Sequence, residues 1–293
     1  MKITAVIISR NDNYGGHLNE RATYALNSAI ETYDEVIYVD WNSETHSMLY
    51  DIEENLEYKG NLKHIVIPPN IASTLTMYDS DAQKCCEVLA RNIGIRRATG
   101  DYIVSTNIDI IQPKREDIIK LIEEKGPKDF FTTVSRREVE WDYIKKFQGG
   151  EYNFSNWSAF REDAYKTSVP RDKLEKTTPG DEYSIINCCG DFQLAPLNVW
   201  HSIRGFEEEL IYPLYADTNV QKKAKQKGYT LTGQFSPPLF HINHGSKGWG
   251  GGGYADGVNK RANDIVKALS IQQETTNKDT WGFSNIEIEY ETF

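Results

Sequence analysis

The stretch Gly190-Asp-Phe-Gln-Leu-Ala-Pro-Leu-Asn-Val-Trp-His-Ser-Ile-Arg-Gly-Phe206 is the most informative part of this chain. It predicts a small-residue turn, a short apolar strand and a helix, closed by Gly-Phe. Eleven residues after Phe206, Asp217 opens a predicted helix over 217–227. Backbone N–H groups and the dipole at a helix N-terminus favour an ionised carboxylate. Asp217 is therefore a candidate base that takes a proton from a bound hydroxyl.

The composition sets the class of protein. The chain has 293 residues, of which 39% are hydrophobic, enough for one large α/β domain or two small ones. Its net charge of −10 argues against a nucleic-acid partner or an anionic membrane surface.

No apolar run reaches membrane-spanning length, and residues 1–9 resemble a first buried strand, not a signal peptide. The cysteines form two adjacent pairs, which favours free thiols in a reducing compartment: Cys85-Cys86 and Cys188-Cys189.

The first half of the chain alternates apolar strands with helices. Such alternation indicates a single-domain, Rossmann-like α/β fold with a mostly parallel sheet and helices on both faces. Ligands of such sheets bind at the carboxyl ends of the strands. The predicted strands are 4–9, 35–39, 62–67, 102–106 and 130–135, and the predicted helices are 18–33, 45–56, 81–98 and 115–124.

The alternation stops between residues 136 and 189, where aromatic and charged residues dominate. Long irregular insertions in compact domains are usually functional or mobile. Aromatic rings such as Trp157 suit either stacking on a sugar ring or a small satellite core. The glycine-rich run 245–253, which contains Trp249, predicts a loop that closes over a ligand. Residues 259–270 predict a late helix, and the tail 280–293 has no assigned structure.

Polar side chains follow two predicted strands at the point where each strand ends. Asp40 follows the second strand, and Asn107 and Asp109 follow the fourth. Because the carboxyl ends of parallel strands meet at one edge of a sheet, these groups are expected to lie together there. One cluster can accept hydrogen bonds from a base or ribose, and the other can hold a metal ion. Ordinary turn chemistry is the competing interpretation.

Two histidines come just after a late apolar strand. His241 and His244 can turn toward one divalent cation, and with Asp109 they make a mixed nitrogen and oxygen site that suits Mn²⁺ or a similar ion. Such an ion would neutralise a diphosphate leaving group as a Lewis acid. The alternative is a pair of structural histidines.

Three further residues have two interpretations each. Arg10 and Arg91 can reach a phosphate or remain solvated. Asp191 is either a turn aspartate or an acceptor for a hydroxyl of the sugar.

These residues together resemble a GT-A glycosyltransferase of the family-2 type, over residues 3–244. The runs Ala5-Val-Ile-Ile-Ser-Arg10 and Val36-Ile-Tyr-Val-Asp40 are similar to the nucleotide-binding start of that family, where the aspartate contacts the nucleobase. Residues 90–103 resemble the segment ahead of its Asp-x-Asp motif. Asn107-Ile-Asp109 falls on that motif, which implies metal binding by Asp109 and a ribose contact by Asn107. Asn replaces the first aspartate, so the site carries one negative charge fewer.

The second half is similar to the β-1,4-galactosyltransferase pattern. Asp217 falls on the catalytic base of that family, with Ala216 where the preceding acid is expected. His241 and His244 fall on its Met-x-x-His metal ligands. The Trp-Gly segment before the base is absent, since residues 212–215 read Tyr-Pro-Leu-Tyr.

The resemblance implies a metal-dependent, inverting transfer of a sugar from a nucleoside diphosphate sugar to a hydroxyl of a glycan or other acceptor, with Mn²⁺ or Mg²⁺ as cofactor. It implies a catalytic domain over 1–244, with a nucleotide half (1–135) and an acceptor half (136–244), on which residues 245–293 pack. A cytoplasmic location, or one peripheral to a membrane-bound glycan assembly, is expected. The implied donor residues are Arg10, Asp40, Arg91, Asn107 and Asp109; the sugar and acceptor residues are Asp191, Trp157 and Trp249; the metal ligands are Asp109, His241 and His244.

Two other classes of function compete with this one. A nucleotidyltransferase shares the alternation but usually has a basic, glycine-rich phosphate loop after its first strand, and residues 9–16 contain one basic residue. A non-catalytic carbohydrate-binding protein would fit a motif altered at Asn107.

Overall fold

The chain builds one large mixed sheet. The computed structural model describes residues 1–75, 85–125, 130–147, 157–170, 185–186, 190–210, 216–244 and 275–293. The strands are β1 Ile3–Ser9, β2 Glu35–Trp41, β3 Leu62–Ile67, β4 Tyr102–Asn107, β5 Ile110–Ile111, β6 Phe130–Glu140, β7 Val169–Pro170, β8 Phe192–Pro196, β9 Thr230–Asn243 and β10 Glu291–Thr292. The helices are α1 Leu18–Thr32, α2 Leu49–Ile52, α3 Pro69–Leu75, α4 Glu87–Arg97, α5 Arg115–Lys125, α6 Trp141–Phe147, α7 Trp157–Thr167, α8 Leu197–Ser202 and α9 Ala216–Gln226, with 3-10 turns at Glu53–Asn55 and Trp281–Phe283.

The long strand pairings are parallel. The sheet order is β10-β3-β2-β1-β4-β8-β6-β9-β5, with β7 beside β6. Strands β3, β2, β1 and β4 pair in parallel, and β6 pairs in parallel with β9. The antiparallel strand β8 joins the two parallel groups. This confirms the predicted α/β class and its mostly parallel sheet.

Helices cover both faces of the sheet, as predicted. Strand β1 is buried along its whole length, because successive side chains enter different cores. Ile7 packs in the core that contains helices α1 and α5. Ile8 packs in the core that contains α4 and α8. The carboxyl ends of β1 and β4 therefore lie between two packed layers.

The structure differs from the sequence prediction mainly where charged residues or proline interrupt the hydrophobic pattern. Strand β6 continues to Glu140, although residues from 136 onward were expected to be irregular. Its charged side chains Arg136 and Arg137 are buried against partners, so they do not end the strand. Helices α6 and α7 also lie in that segment. The helix predicted over 45–56 shortens to α2 and a 3-10 turn, and Pro69 begins the unpredicted helix α3, a position that suits proline.

The C-terminal segment packs on the main domain. Strand β10 pairs with the edge strand β3, and Trp281 is buried in the core beside α4. Arg97 of α4 donates to the carbonyl oxygens of Gly282, Phe283 and Ile286. The late helix predicted over 259–270 lies outside the described residues.

Cys85 and Cys86 are free thiols, and the other cysteine pair lies outside the described residues. Within the described ranges, no helix combines the length and the apolar character that crossing a bilayer requires.

Candidate active site

A cavity opens at the carboxyl ends of β1 and β4. It is a small cavity of about 110 Å³ that is partly open to solvent. Its wall combines strand-end residues with the loop after β1 and the start of α4. The lining residues include Ser9, Arg10, Tyr14, Glu87, Asn107 and Asp109. Its position matches the expectation for ligands of parallel sheets.

Strand pairing brings Asp109 and the two histidines together. Ile110 of β5 pairs with His241 of β9, and the N–H of Ile242 donates to the carbonyl oxygen of Asp109 at 2.9 Å. His241 Nε2 lies 3.5 Å from Asp109 Oδ2, and His244 Nε2 lies 3.2 Å from the same oxygen. One ligand atom from each of these three residues lies within 4.8 Å of the others.

This cluster fits a divalent cation. Asp109 Oδ1 is buried and has no hydrogen-bond partner among the described residues, so it is available as a ligand. One carboxylate and two imidazoles form a donor set that suits Mn²⁺ and similar ions. Burial opposes ionisation of Asp109, but His241, His244 and Arg21 hold its pKa well below the ordinary value. Burial also disfavours a charged His241, but Asp109 and Glu138 raise its pKa to about 9. A bound cation would take the place of that proton.

Arg21 of α1 holds the loop after β1 against this cluster. Its Nη1 lies 3.2 Å from Asp109 Oδ2, its Nε donates to the carbonyl of Gly16 at 3.1 Å, and its Nη2 donates to the carbonyl of Tyr14. The Tyr14 ring meets His244 edge-on, with centroids 4.7 Å apart. Gly15 lies so close that an added β-carbon would be 2.5 Å from His244 Nδ1. The loop therefore fixes the ring position of His244.

A second hydrogen-bond network joins the cavity to β8. Asn107 Nδ2 donates to Asp191 Oδ1 at 2.5 Å, and Asn107 Oδ1 accepts from Arg91 Nη2. Arg91 Nη1 also donates to Ser105 Oγ at 2.8 Å. Asp191 Oδ2 accepts from Arg136 Nη1 at 2.7 Å. The asparagine in the motif is thus a donor toward Asp191 and an acceptor toward Arg91, a pair of roles that one carboxylate cannot fill.

Asp217 lies in the first turn of α9, behind Gly190. A β-carbon at Gly190 would be 3.2 Å from Asp217 Oδ2. The N–H of Thr218 donates to Asp217 Oδ1 at 2.8 Å. Burial, with a contribution from Asp191, nevertheless raises the pKa of Asp217 to about 6. The backbone N–H of Thr218 at the helix start favours the ionised form, as expected, but desolvation of the carboxylate outweighs this hydrogen bond.

The other predicted donor residues take different positions. Arg10 lines the cavity, where its Nε donates to the carbonyl of Asn42 and its Nη2 pairs with Glu44, both at 2.8 Å. Asp40 is fully buried beside the cavity wall and hydrogen-bonds Tyr38 Oη at 3.3 Å. Burial raises the pKa of Asp40. Its nucleobase contact stays a prediction.

Trp157 is buried away from the residues that line this cavity. It is 3% exposed and packs in a separate core with Phe160, Tyr24 and Ile144. The ring centroids of Trp157 and Phe160 are 5.9 Å apart, and those of Trp157 and Tyr24 are 6.5 Å apart. The segment thus supplies the satellite core that was the alternative interpretation. Trp249 lies outside the described residues.

Sequence reasoning missed several charged residues of the site, among them Arg21, which contacts Asp109. Glu87 lines the cavity, and burial raises the pKa of its carboxyl group despite the neighbouring Arg91. The four-residue spacing of Glu87 and Arg91 on a predicted helix was the available signal. Arg136 and Glu138 contact the site from β6, but no alternation of polar and apolar residues marks them, because Arg137 between them is also charged.

No protein-family model and no curated protein sequence matches the chain. Solved structures do. S. aureus TarS 1–349 in complex with UDP-GlcNAc matches with a TM-score of 0.57 and 15% identity, over 96% of this chain and 69% of that one. Mannosyltransferase PcManGT from Pyrobaculum calidifontis, in complex with GDP-Man and Mn²⁺, matches with a TM-score of 0.54 and 15% identity, over 96% of this chain and 67% of that one. The chain covers 41% of a longer S. aureus TarS structure. It thus shares the fold of these glycosyltransferase structures.

Proposed function

We propose that this protein is a metal-dependent, inverting glycosyltransferase that moves a sugar from a nucleoside diphosphate sugar to a hydroxyl of a glycan or other acceptor. The observation that carries the proposal is the convergence of Asp109, His241 and His244 on one point at a strand-end cavity. Asp217 lies near enough to Asp191 for that carboxylate to raise its pKa, and Arg136 contacts both Asp191 and His241. A cation site and a base of raised pKa are the two parts that such a transfer requires.

The donor is proposed to occupy the cavity. Mn²⁺ or Mg²⁺ held by Asp109, His241 and His244 would supply a Lewis acid that neutralises the diphosphate leaving group. Arg91 Nη2 donates to Asn107 Oδ1, and this contact keeps the amide nitrogen of Asn107 directed at Asp191. The proposed donor residues, assigned from the sequence, are Arg10, Asp40, Arg91, Asn107 and Asp109.

Asp217 is proposed to act as the base. Its carboxylate accepts the proton of the acceptor hydroxyl while the hydroxyl oxygen bonds to the anomeric carbon. The bond from that carbon to the diphosphate oxygen breaks on the opposite side, so the configuration inverts and the nucleoside diphosphate leaves with the electron pair. Asp191 is proposed to accept a hydrogen bond from a sugar hydroxyl, and the proposed sugar contact of Trp249 depends on the sequence alone.

The fold neighbours support this class of reaction, because their structures contain UDP-GlcNAc or GDP-Man. The test uses the full chain with a panel of UDP-, GDP- and dTDP-sugars and Mn²⁺, with and without EDTA. Slow donor hydrolysis that releases nucleoside diphosphate and free sugar, and stops with EDTA, supports the proposal. Release of pyrophosphate from a nucleoside triphosphate would identify a nucleotidyltransferase, and a thermal shift without any release would identify a binding protein.

Asp217→Asn and a matched variant sharpen this assay. Asp142 is also the second residue of a helix, but it is exposed. Asp217→Asn is expected to lose at least 100-fold in transfer to an acceptor, in line with about 10²–10⁴-fold for a general base, while nucleotide binding persists. Asp142→Asn is expected to keep wild-type turnover. Equal turnover in both variants would show that Asp217 is not the base.

A further inference from the structure

Glu138 lies directly opposite a candidate metal ligand in the sheet. Glu138 of β6 and His241 of β9 are register partners in a parallel pairing. Glu138 Oε2 lies 2.7 Å from His241 Nδ1, and the other ring nitrogen, Nε2, is the atom that approaches Asp109. Both side chains are largely shielded, at 15% and 6% exposure. The imidazole is therefore held between two carboxylates.

We propose that Glu138 is a positioning residue that orients His241 for a divalent cation. This inference rests on the metal site of the proposed function. An imidazole binds a metal through one nitrogen, and the partner of the other nitrogen fixes both the tautomer and the ring orientation. With Nδ1–H donated to Glu138, the Nε2 lone pair faces Asp109. Arg136 Nη2 also lies 3.1 Å from Nδ1, but a guanidinium cannot accept a proton, so Glu138 decides which nitrogen of His241 the cation meets.

The carboxylate of Glu138 is itself held in place by Arg136. Arg136 Nε donates to Glu138 Oε1 at 2.9 Å, and Arg136 Nη2 lies 2.8 Å from the same oxygen. The two residues are two positions apart on β6, so their side chains share one face of the sheet. Arg136 Nη1 also binds Asp191 Oδ2 at 2.7 Å. A continuous chain of contacts therefore runs from the metal ligand His241 to the aspartate beside the proposed base.

A matched control lies two residues further along β6. Glu140 is the register partner of Asn243, and Glu140 Oε1 accepts from Asn243 Nδ2 at 2.8 Å. Glu140 is exposed and contacts neither candidate histidine in the contacts that the structure gives. Removing it changes the charge of the strand by the same amount as removing Glu138. A difference between the two variants therefore reports the contact with His241 and not the charge.

The test measures binding of Mn²⁺ alone, from the loss of the free-ion electron paramagnetic resonance signal, to the full chain. Loss of a partner that orients a metal-binding histidine typically weakens metal affinity by about 10–100-fold. We expect that loss for Glu138→Ala. For Glu138→Gln, whose amide oxygen can still accept from Nδ1–H, we expect a smaller loss. For Glu140→Ala we expect wild-type affinity. Thermal unfolding without metal checks that each variant is folded, and if Glu138→Ala does not fold, Glu138→Gln decides.

The outcomes separate this inference from the proposed function. Wild-type Mn²⁺ affinity in folded Glu138 variants overturns the positioning role, while donor hydrolysis by the wild-type protein still supports the transferase. An equal loss in Glu138→Ala and Glu140→Ala also overturns it, since strand charge would then explain both. If the wild-type chain binds no Mn²⁺, both the positioning role and the metal dependence fail.

Discussion

Gly190 and Asp217 lie in direct contact, and a β-carbon at position 190 would be 2.5 Å from the β-carbon of Asp217. The turn before β8 and the first turn of α9 therefore fit together only because residue 190 has no side chain. Since the β-carbon of Asp217 is fixed by its helix, any added group must move the helix or the turn. This contact sets the position of the proposed base.

Gly190→Ala is expected to reduce transfer while leaving nucleotide binding intact. The added methyl group displaces Asp217 from the acceptor, and a displacement near 1 Å can cost about 10²-fold in rate. Steady-state kinetics and nucleotide titration measure the two effects. Gly228→Ala serves as a control for backbone strain, because its φ is 88° and nothing lies within 4 Å of a β-carbon there. Equal kcat values for Gly190→Ala and the wild type would contradict the argument.

The rate of transfer is expected to rise with pH through a pKa of about 6. Burial raises the pKa of Asp217 to about 6, and only the ionised form can accept a proton. Below that pH, kcat/KM should fall about tenfold per unit, and above it the profile should level off. The pH profile of kcat/KM between pH 5 and 8 measures this. A flat profile across that range would exclude Asp217 as the titrating base.

Asp217→Asn is expected to stabilise the fold at pH 8 but not at pH 4. The folded-state pKa of about 6 lies above the ordinary value of 3.8, so the native state binds this proton more tightly than the unfolded state. Stability is therefore lost as pH rises through that window, by about 3 kcal/mol at most. The amide removes that cost while its oxygen can keep the hydrogen bond from Thr218. Thermal unfolding at both pH values, with Asp142→Asn as the control, checks the sign.

Gly15→Ala is expected to weaken Mn²⁺ binding more than Gly16→Ala. Both glycines have positive φ angles, 70° and 76°, so alanine is similarly strained at either position. Only the methyl group at position 15 would collide with His244, since nothing lies within 4 Å of a β-carbon at position 16. Isothermal titration with Mn²⁺ compares the two variants. Equal losses would show that loop strain, and not the position of His244, controls affinity.

Asn107→Asp is expected to lower activity, although it restores a two-carboxylate motif. The new carboxylate would face Asp191 Oδ1, which now accepts a hydrogen bond from Asn107 Nδ2 at 2.5 Å. Like charges at that distance repel, so we expect at least a tenfold loss in kcat/KM. The double variant Asn107→Asp with Asp191→Asn reverses the donor and the acceptor and should recover part of the loss. A gain of activity in the single variant would instead show that the missing negative charge at position 107 limits activity.

The sequence predicted the elements whose patterns are apolar. Strand β1 and its parallel partners are continuous hydrophobic runs, and such runs require cover on both faces. The proximity of Asp109 to His241 and His244 was also predicted, although His241 lies within β9 and not after it. The pairing of Ile110 with His241, which produces that proximity, has no local signal.

Buried charge limited the rest of the prediction. Arg136 and Glu138 read as loop residues, since a hydrophobicity pattern cannot show that one neutralises the other inside a strand. The pKa of Asp217 was misjudged for a similar reason. A helix terminus is visible in sequence, whereas the layers that desolvate the carboxylate come from β8 and the turn at Gly190.

In the short strand β10, Glu291 pairs with His64 and Thr292 pairs with Lys63. This pairing covers part of the outer edge of strand β3. Strand β3 would otherwise present a row of unpaired backbone groups to solvent, and such rows recruit strands from other copies. Deleting residues 290–293 should leave the candidate site in place and yet cause the protein to self-associate at high concentration.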